Sequence, residues 1–145
     1  MVVLVLTGCG ASTRPPTAHF AAVATTICSD AAEQLAALPA PSGTLDGAVA
    51  QASSALGIVR SELRQLAALN APPSLAGRFA KALAAGRAQT ATVAQLLRAI
   101  RAGDAREVAT LALRAKAVDA RARAAIAALG LPACTRAAAA QRGGT

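Results

Sequence analysis

The sequence is poor in the residues from which most active sites and nucleotide-binding sites are built. Its 145 residues include one histidine, His19, and no tryptophan or tyrosine. A single histidine excludes a multi-histidine metal site and leaves one candidate for a histidine-dependent triad. Neither GxxxxGK[ST] nor GxGxxG occurs, which excludes the phosphate-binding loops of those motifs. We therefore predict a non-catalytic protein with no cofactor and no metal, in which His19 is a solvated residue near a helix start.

Large apolar side chains are also scarce. Phe20 and Phe79 are the only aromatic residues, although 54% of the chain is hydrophobic. Alanine supplies much of the difference, and small side chains give a thin hydrophobic core. The length is that of one domain.

The three cysteines have no CxxC spacing, which argues against zinc-binding and thioredoxin-like redox sites. The first of them ends an apolar run, since Leu6, Thr7, Gly8 and Cys9 follow the apolar residues 2–5. This pattern resembles the lipobox of bacterial lipoproteins, an apolar segment that ends in Leu-small-Gly-Cys. The resemblance implies cleavage before Cys9 and a diacylglyceryl group on its thiol.

In such a lipoprotein, residues 1–8 are a signal peptide that is removed. Only eight residues, none of them charged, precede Cys9. We therefore expect the translation start to lie upstream. Residues 9–17 are rich in proline, glycine and hydroxyl side chains, which favours a tether. The protein would then be extracytoplasmic, anchored to the outer face of the cytoplasmic membrane by two acyl chains and without a transmembrane helix.

Two cysteines remain when Cys9 carries lipid. In an exported chain, Cys28 and Cys134 are candidates for a disulfide, whereas in a cytosolic chain they would be two buried thiols. A bridge between them would close a loop of about a hundred residues and contribute about 4–5 kcal/mol in the chain-entropy model.

Apolar residues at steps of three and four predict four helices, at about residues 17–38, 44–69, 74–101 and 104–129. Proline and glycine occupy the breaks between them. The clearest heptads, in the second and third helices, are Val49, Leu56 and Leu63, then Ala52, Val59 and Leu66, then Leu83, Thr90 and Leu97, and Phe79, Gly86, Val93 and Ile100. Short connections predict an all-α, up-down-up-down four-helix bundle over residues 18–135, followed by a disordered tail over 136–145.

The lipobox, the alanine-rich helices and the closing residues 129–134 (Leu-Gly-Leu-Pro-Ala-Cys) together resemble small actinobacterial secreted lipoproteins. That resemblance implies the helical fold, export, and pairing of an early helix cysteine with a late one. It implies no activity.

The net charge of +8 is unevenly distributed along the chain. Ten basic residues but only three acidic ones lie between Arg78 and Arg123, whereas the first two predicted helices are slightly acidic. All ten basic residues lie outside the seams, the heptad positions at which neighbouring helices would pack. The acidic residues also lie outside the seams, apart from Asp104 at a helix cap. An ordinary solvated face explains this placement. The functional interpretation is a cationic surface on the last two helices that contacts anionic lipid or envelope polymer. Its candidate residues are Arg87, Arg98, Arg101, Arg114, Lys116, Arg121 and Arg123.

Two functions follow from these features. The first is a lipid-anchored, non-catalytic binding or structural module of the cell envelope, with a membrane, an anionic surface or an envelope protein as its partner. The alternative is a cytosolic, basic helical protein that binds nucleic acid through its arginines. The scarcity of aromatics for base stacking and the lipobox both make nucleic acid the less favoured partner.

Overall fold

A computed structural model describes residues 16–140, which form five α-helices and no strand. The helices are α1 (Pro16–Ala36), α2 (Leu45–Ala67), α3 (Pro73–Ala102), α4 (Ala105–Ala127) and α5 (Pro132–Ala140). The all-helical prediction is confirmed, and each end of the first four helices lies within two residues of its predicted position. The predicted signal peptide, Cys9 and most of the tether lie outside the described residues.

Polar caps and glycines set the helix ends. The Thr44 hydroxyl accepts a hydrogen bond from the Gly47 amide at 3.0 Å, which satisfies a free donor in the first turn of α2. Asp104 does the same for α4, because its carboxylate accepts from the Glu107 amide at 2.9 Å. Gly103 ends α3 with a φ of 68°, a left-handed conformation that glycine adopts without steric cost.

A fifth helix crosses the predicted boundary between the bundle, residues 18–135, and the disordered tail, residues 136–145. Gly130 has a φ of 68° and separates α4 from α5. Pro132 then occupies the first helical position, where its missing N–H costs nothing. The alanines that follow have the highest helix propensity, and Ala137 is only 1% exposed. Residues 136–140 are therefore helical, and residues 141–145 lie outside the described part of the chain.

The larger core cluster joins α1, α3 and α5. It contains the predicted bridge, since Cys28 and Cys134 form a disulfide with their Cα atoms 4.9 Å apart. Cys28 is fully buried, so the bridge lies within the core and ties α5 to α1. The other buried members of this cluster are Phe20, Ala24, Phe79, Ala82, Leu129, Leu131, Ala133 and Ala137.

The smaller core cluster lies between α2 and α3. It consists of Val49 and Leu56 from α2 and Leu97 from α3, with partly buried Val93 and Ile100 packed against it. These are residues of the predicted heptads, so the α2–α3 seam follows the spacing of apolar residues in the sequence.

The principal helix contacts run from α1 to α2, α2 to α3, α3 to α4 and α4 to α5, and then from α5 back to α1. The α3–α4 contact is the most extensive of them. α5 thus occupies the place between α1 and α4 where a simple four-helix bundle would bring its first and last helices together. None of the described helices has an apolar stretch long enough to span a bilayer.

Candidate anion-binding groove

The predicted basic contact residues are at the protein surface, but they do not form one continuous face. Six of the seven are exposed, and the Arg123 side chain is half-buried. Arg123 forms an ion pair with Asp119, with a nitrogen-oxygen distance of 3.1 Å. Because successive helical residues are about 100° apart, Lys116 lies nearly opposite Arg114 on α4. The seven residues therefore divide between different sides of the molecule.

One shallow groove lies between the end of α3 and the start of α4. It is lined by Arg98 and Arg114, and also by Asp104 and Glu107. The lining thus carries two positive and two negative charges, so it has no net charge to attract an anion.

A second groove, between α2 and α3, carries charge of one sign. Arg60 and Arg64 of α2 and Arg87 of α3 line it, and no carboxylate is among its lining residues. Its volume is about 540 Å³, and all three arginines are exposed. Its remaining lining residues are Leu63, Ala67, Ala68 and Thr90. We call this feature the α2–α3 groove.

Close packing of the two helices forms the floor of this groove. A Cβ atom at Gly86 would lie only 2.7 Å from Cδ2 of Leu63, so the absence of that atom lets the Leu63 side chain approach α3. Thr90 is buried beside it, and its hydroxyl donates to the Arg87 carbonyl at 3.0 Å. The floor is therefore largely apolar, and its one buried hydroxyl already has a partner.

The three arginines of the groove lack balancing charge. Among the described residues, none of their guanidinium groups takes part in a hydrogen bond or an ion pair. Other arginines do have partners: Arg101 donates to the Ser53 hydroxyl at 2.6 Å, and Arg78 donates to the Ala128 carbonyl at 3.1 Å. Arg60 and Arg64 are also four residues apart on one helix, a like-charge spacing that costs about 0.2–0.5 kcal/mol. Fold stability therefore does not explain this cluster.

Glu62 is the nearest acid in sequence, but it does not neutralise the groove. It is two residues from both Arg60 and Arg64, which places it on the opposite side of α2, about 200° around the helix from each. The side chain is buried, with 8% exposed, although Glu62 lies outside the predicted seam positions. Burial raises the pKa of its carboxyl from 4.5 to about 7, because desolvation disfavours the charged form.

Sequence reasoning missed Arg60 and Arg64 as site residues because it counted charge along the chain. The segment that holds them is acidic as a whole, yet Glu62 is buried, and the other acids of α1 and α2 are not among the groove's lining residues. A usable signal was present. Both arginines flank the predicted seam residue Leu63, and consecutive helices with a short connection pack side by side.

The other predicted site residues lie apart from the groove. His19 is exposed in the first turn of α1, and Cys28 and Cys134 are joined in the core. Within the described residues, no three His, Cys, Asp or Glu side chains come close enough together to hold a metal ion.

Comparisons with protein family models, with curated proteins and with solved structures find no match. The described residues define an all-helical, disulfide-linked protein with one strongly basic groove. Such a groove can bind an anion by electrostatic attraction and by paired N–H donors of guanidinium groups.

Proposed function

We propose that this protein is a lipid-anchored, non-catalytic module of the bacterial cell envelope. In this proposal Cys9 carries the lipid, and the helical body lies on the outer face of the cytoplasmic membrane. α1 to α4 form an up-down-up-down bundle that α5 completes. The basic surface of the body contacts anionic lipid or envelope polymer.

The observation that carries the proposal is the disulfide between Cys28 and Cys134. Disulfides persist in oxidising compartments and are rare in the cytosol, so the bridge favours export over the cytosolic nucleic-acid alternative. Its formation also leaves Cys9 as the one cysteine outside the bridge. That cysteine is the residue that ends the lipobox-like pattern.

The position of α1 supports a location close to the bilayer. α1 begins at Pro16, seven residues after Cys9. Seven fully extended residues span at most about 25 Å. A lipid on Cys9 would therefore keep the helical body next to the headgroups, where each basic residue close to the surface of an anionic membrane adds about 1 kcal/mol of attraction.

The decisive experiment is the intact mass of the native protein from its own cells, with and without reductant. We expect a mass that includes a diacylglyceryl group, and a further shift on reduction that corresponds to one disulfide. A Cys9→Ala variant should lose the acyl mass and leave the membrane fraction, while it keeps the disulfide. An unacylated native chain with three free thiols would refute the proposal and favour the nucleic-acid alternative.

A further inference from the structure

We propose that the α2–α3 groove is a binding site for an anionic phospholipid. Arg60, Arg64 and Arg87 bind the phosphate, and the apolar floor contacts the glycerol and the first acyl carbons. This inference rests on the proposed membrane location and deepens it, because it assigns the lipid contact to one site. It also moves that contact from the face of α3 and α4 to a groove that α2 helps to form.

The charge of the groove points to an anion. Three arginines line it with no acid in the lining, whereas the groove between α3 and α4 has as many acids as arginines. None of the three guanidinium groups has a hydrogen-bond or ion-pair partner among the described residues. Guanidinium groups bind phosphate oxygens through paired N–H donors, which an ammonium group cannot match. The groove is therefore better suited to hydrogen-bonding a phosphate group than to attracting counterions without direct contacts.

The floor of the groove points to an amphiphile. Leu63, Ala67 and Ala68 give it an apolar surface, and the hydroxyl of Thr90 already donates to a backbone carbonyl. A small hydrophilic anion would leave this surface without a partner. A phospholipid supplies both a phosphate and an adjacent apolar segment.

The α2 side of the groove lies in the last turns of α2, whereas Arg87 and Thr90 lie near the middle of α3. Ala67 is the last residue of α2, and Leu66 packs against the core cluster that contains Phe20 from the first turns of α1. The part of α2 that contributes Arg60 and Arg64 is therefore next to the core cluster that α1 helps to form.

The test measures binding of the mature chain, residues 9–145, with a Cys9→Ser substitution, so that neither the signal peptide nor acylation masks the groove. The probes are phosphatidylcholine vesicles with and without phosphatidylglycerol. The groove variant combines Arg60→Gln, Arg64→Gln and Arg87→Gln. The matched control combines Arg98→Gln, Arg114→Gln and Arg121→Gln, which removes the same charge from exposed positions that do not line the α2–α3 groove. Thermal unfolding confirms that both variants are folded.

We expect the unsubstituted groove to bind vesicles only when phosphatidylglycerol is present. The groove variant should bind at least tenfold more weakly, and the control variant less than threefold more weakly. Equal losses in the two variants would overturn the groove as the binding site. The anionic contact would then involve the basic surface as a whole, which is all that the proposed function requires. Equal binding to neutral vesicles would overturn both the groove and the anionic contact. If the native protein is unacylated but the groove variant loses binding and the control variant does not, only the lipid anchor at Cys9 is overturned.

Competition in solution separates a lipid site from a simple anion site. Dihexanoyl phosphatidylglycerol should displace the protein from vesicles at a concentration at least tenfold lower than inorganic phosphate does. Equal potency of the two competitors would overturn a lipid as the occupant, because the apolar floor would then contribute nothing.

A single added carboxylate gives a second, independent variant. Ala67→Glu places a negative charge among the arginines at an exposed position. Gln65→Glu adds the same charge to an exposed position on the same helix that does not line the groove. We expect Ala67→Glu to weaken vesicle binding at least fivefold and Gln65→Glu to weaken it less than twofold. Equal effects would overturn the proposal.

Discussion

Phe20 of α1 and Phe79 of α3 meet edge to face, with ring centroids 5.0 Å apart and an interplanar angle of 88°. They are the only aromatic residues of the chain, 59 positions apart, and both are buried. The cluster around them contains mostly alanine, leucine and the disulfide. This one contact therefore brings together the two largest side chains of the core.

Truncation of either ring should be costly. Phe79→Ala removes a buried aromatic side chain and leaves a cavity, so we expect it to lower the free energy of unfolding by about 3–5 kcal/mol. A double-mutant cycle of Phe20→Leu and Phe79→Leu should give a coupling of about 0.5–1.5 kcal/mol for the edge-to-face contact. Urea unfolding of Phe79→Ala and of the four proteins of the cycle measures both quantities. Additive single-mutant effects would show that the rings contribute only buried area.

Loss of the disulfide should destabilise the protein by about 5 kcal/mol. The bridge joins residues 106 positions apart, and closing so long a loop removes much of the entropy of the unfolded chain. We expect the Cys28→Ala, Cys134→Ala double variant to have a much lower urea midpoint, and reductant to bring the parent protein to the same value. If neither the double substitution nor reductant lowers the urea midpoint, packing alone is sufficient to hold α5 against α1.

Glu62 should make stability depend on pH. Below about 4.5 its carboxyl is neutral in both the folded and the unfolded chain, whereas between 4.5 and about 7 only the folded protein retains the proton. The free energy of unfolding should fall over this range as pH rises, by about 3 kcal/mol in total, and change no further above it.

Glu62→Gln removes this ionisation and should raise stability at pH 8 by up to about 3 kcal/mol, with little effect at pH 4. Thermal unfolding across the pH range measures the difference. Glu33→Gln, at an exposed position on α1, is the control and should leave the pH profile unchanged. A flat difference between Glu62→Gln and the parent would mean that the Glu62 carboxyl is solvated in the folded protein.

Substitution by alanine should have different effects on stability at two glycines within helices. A Cβ atom at Gly57 would meet nothing within 4 Å, so Gly57→Ala should stabilise α2 by about 1 kcal/mol through helix propensity. The same change at Gly86 must displace Leu63, so it should give no gain or a loss. Urea midpoints compare the two. A similar gain at both sites would mean that Leu63 can move without cost.

Local signals in the sequence were enough to predict the first four helices. Proline and glycine ended each one, and Asp104 was identifiable as a cap because its side chain acts on an amide three residues away. α5 was harder to predict. Its nine residues are too few to be helical alone, and they depend on packing of Ala133, Cys134 and Ala137 against α1.

The sequence by itself determined the helical class, the helix ends and the α2–α3 seam, because these depend on residues within one or two turns of each other. Only the tertiary structure decided which charges lie together. It placed Arg60 and Arg64 beside Arg87 of another helix, buried Glu62, and separated Lys116 and Arg123 from the groove. Charge counted along the chain does not predict this arrangement, since electrostatic attraction depends on distance in space and on the side of a helix that each residue occupies.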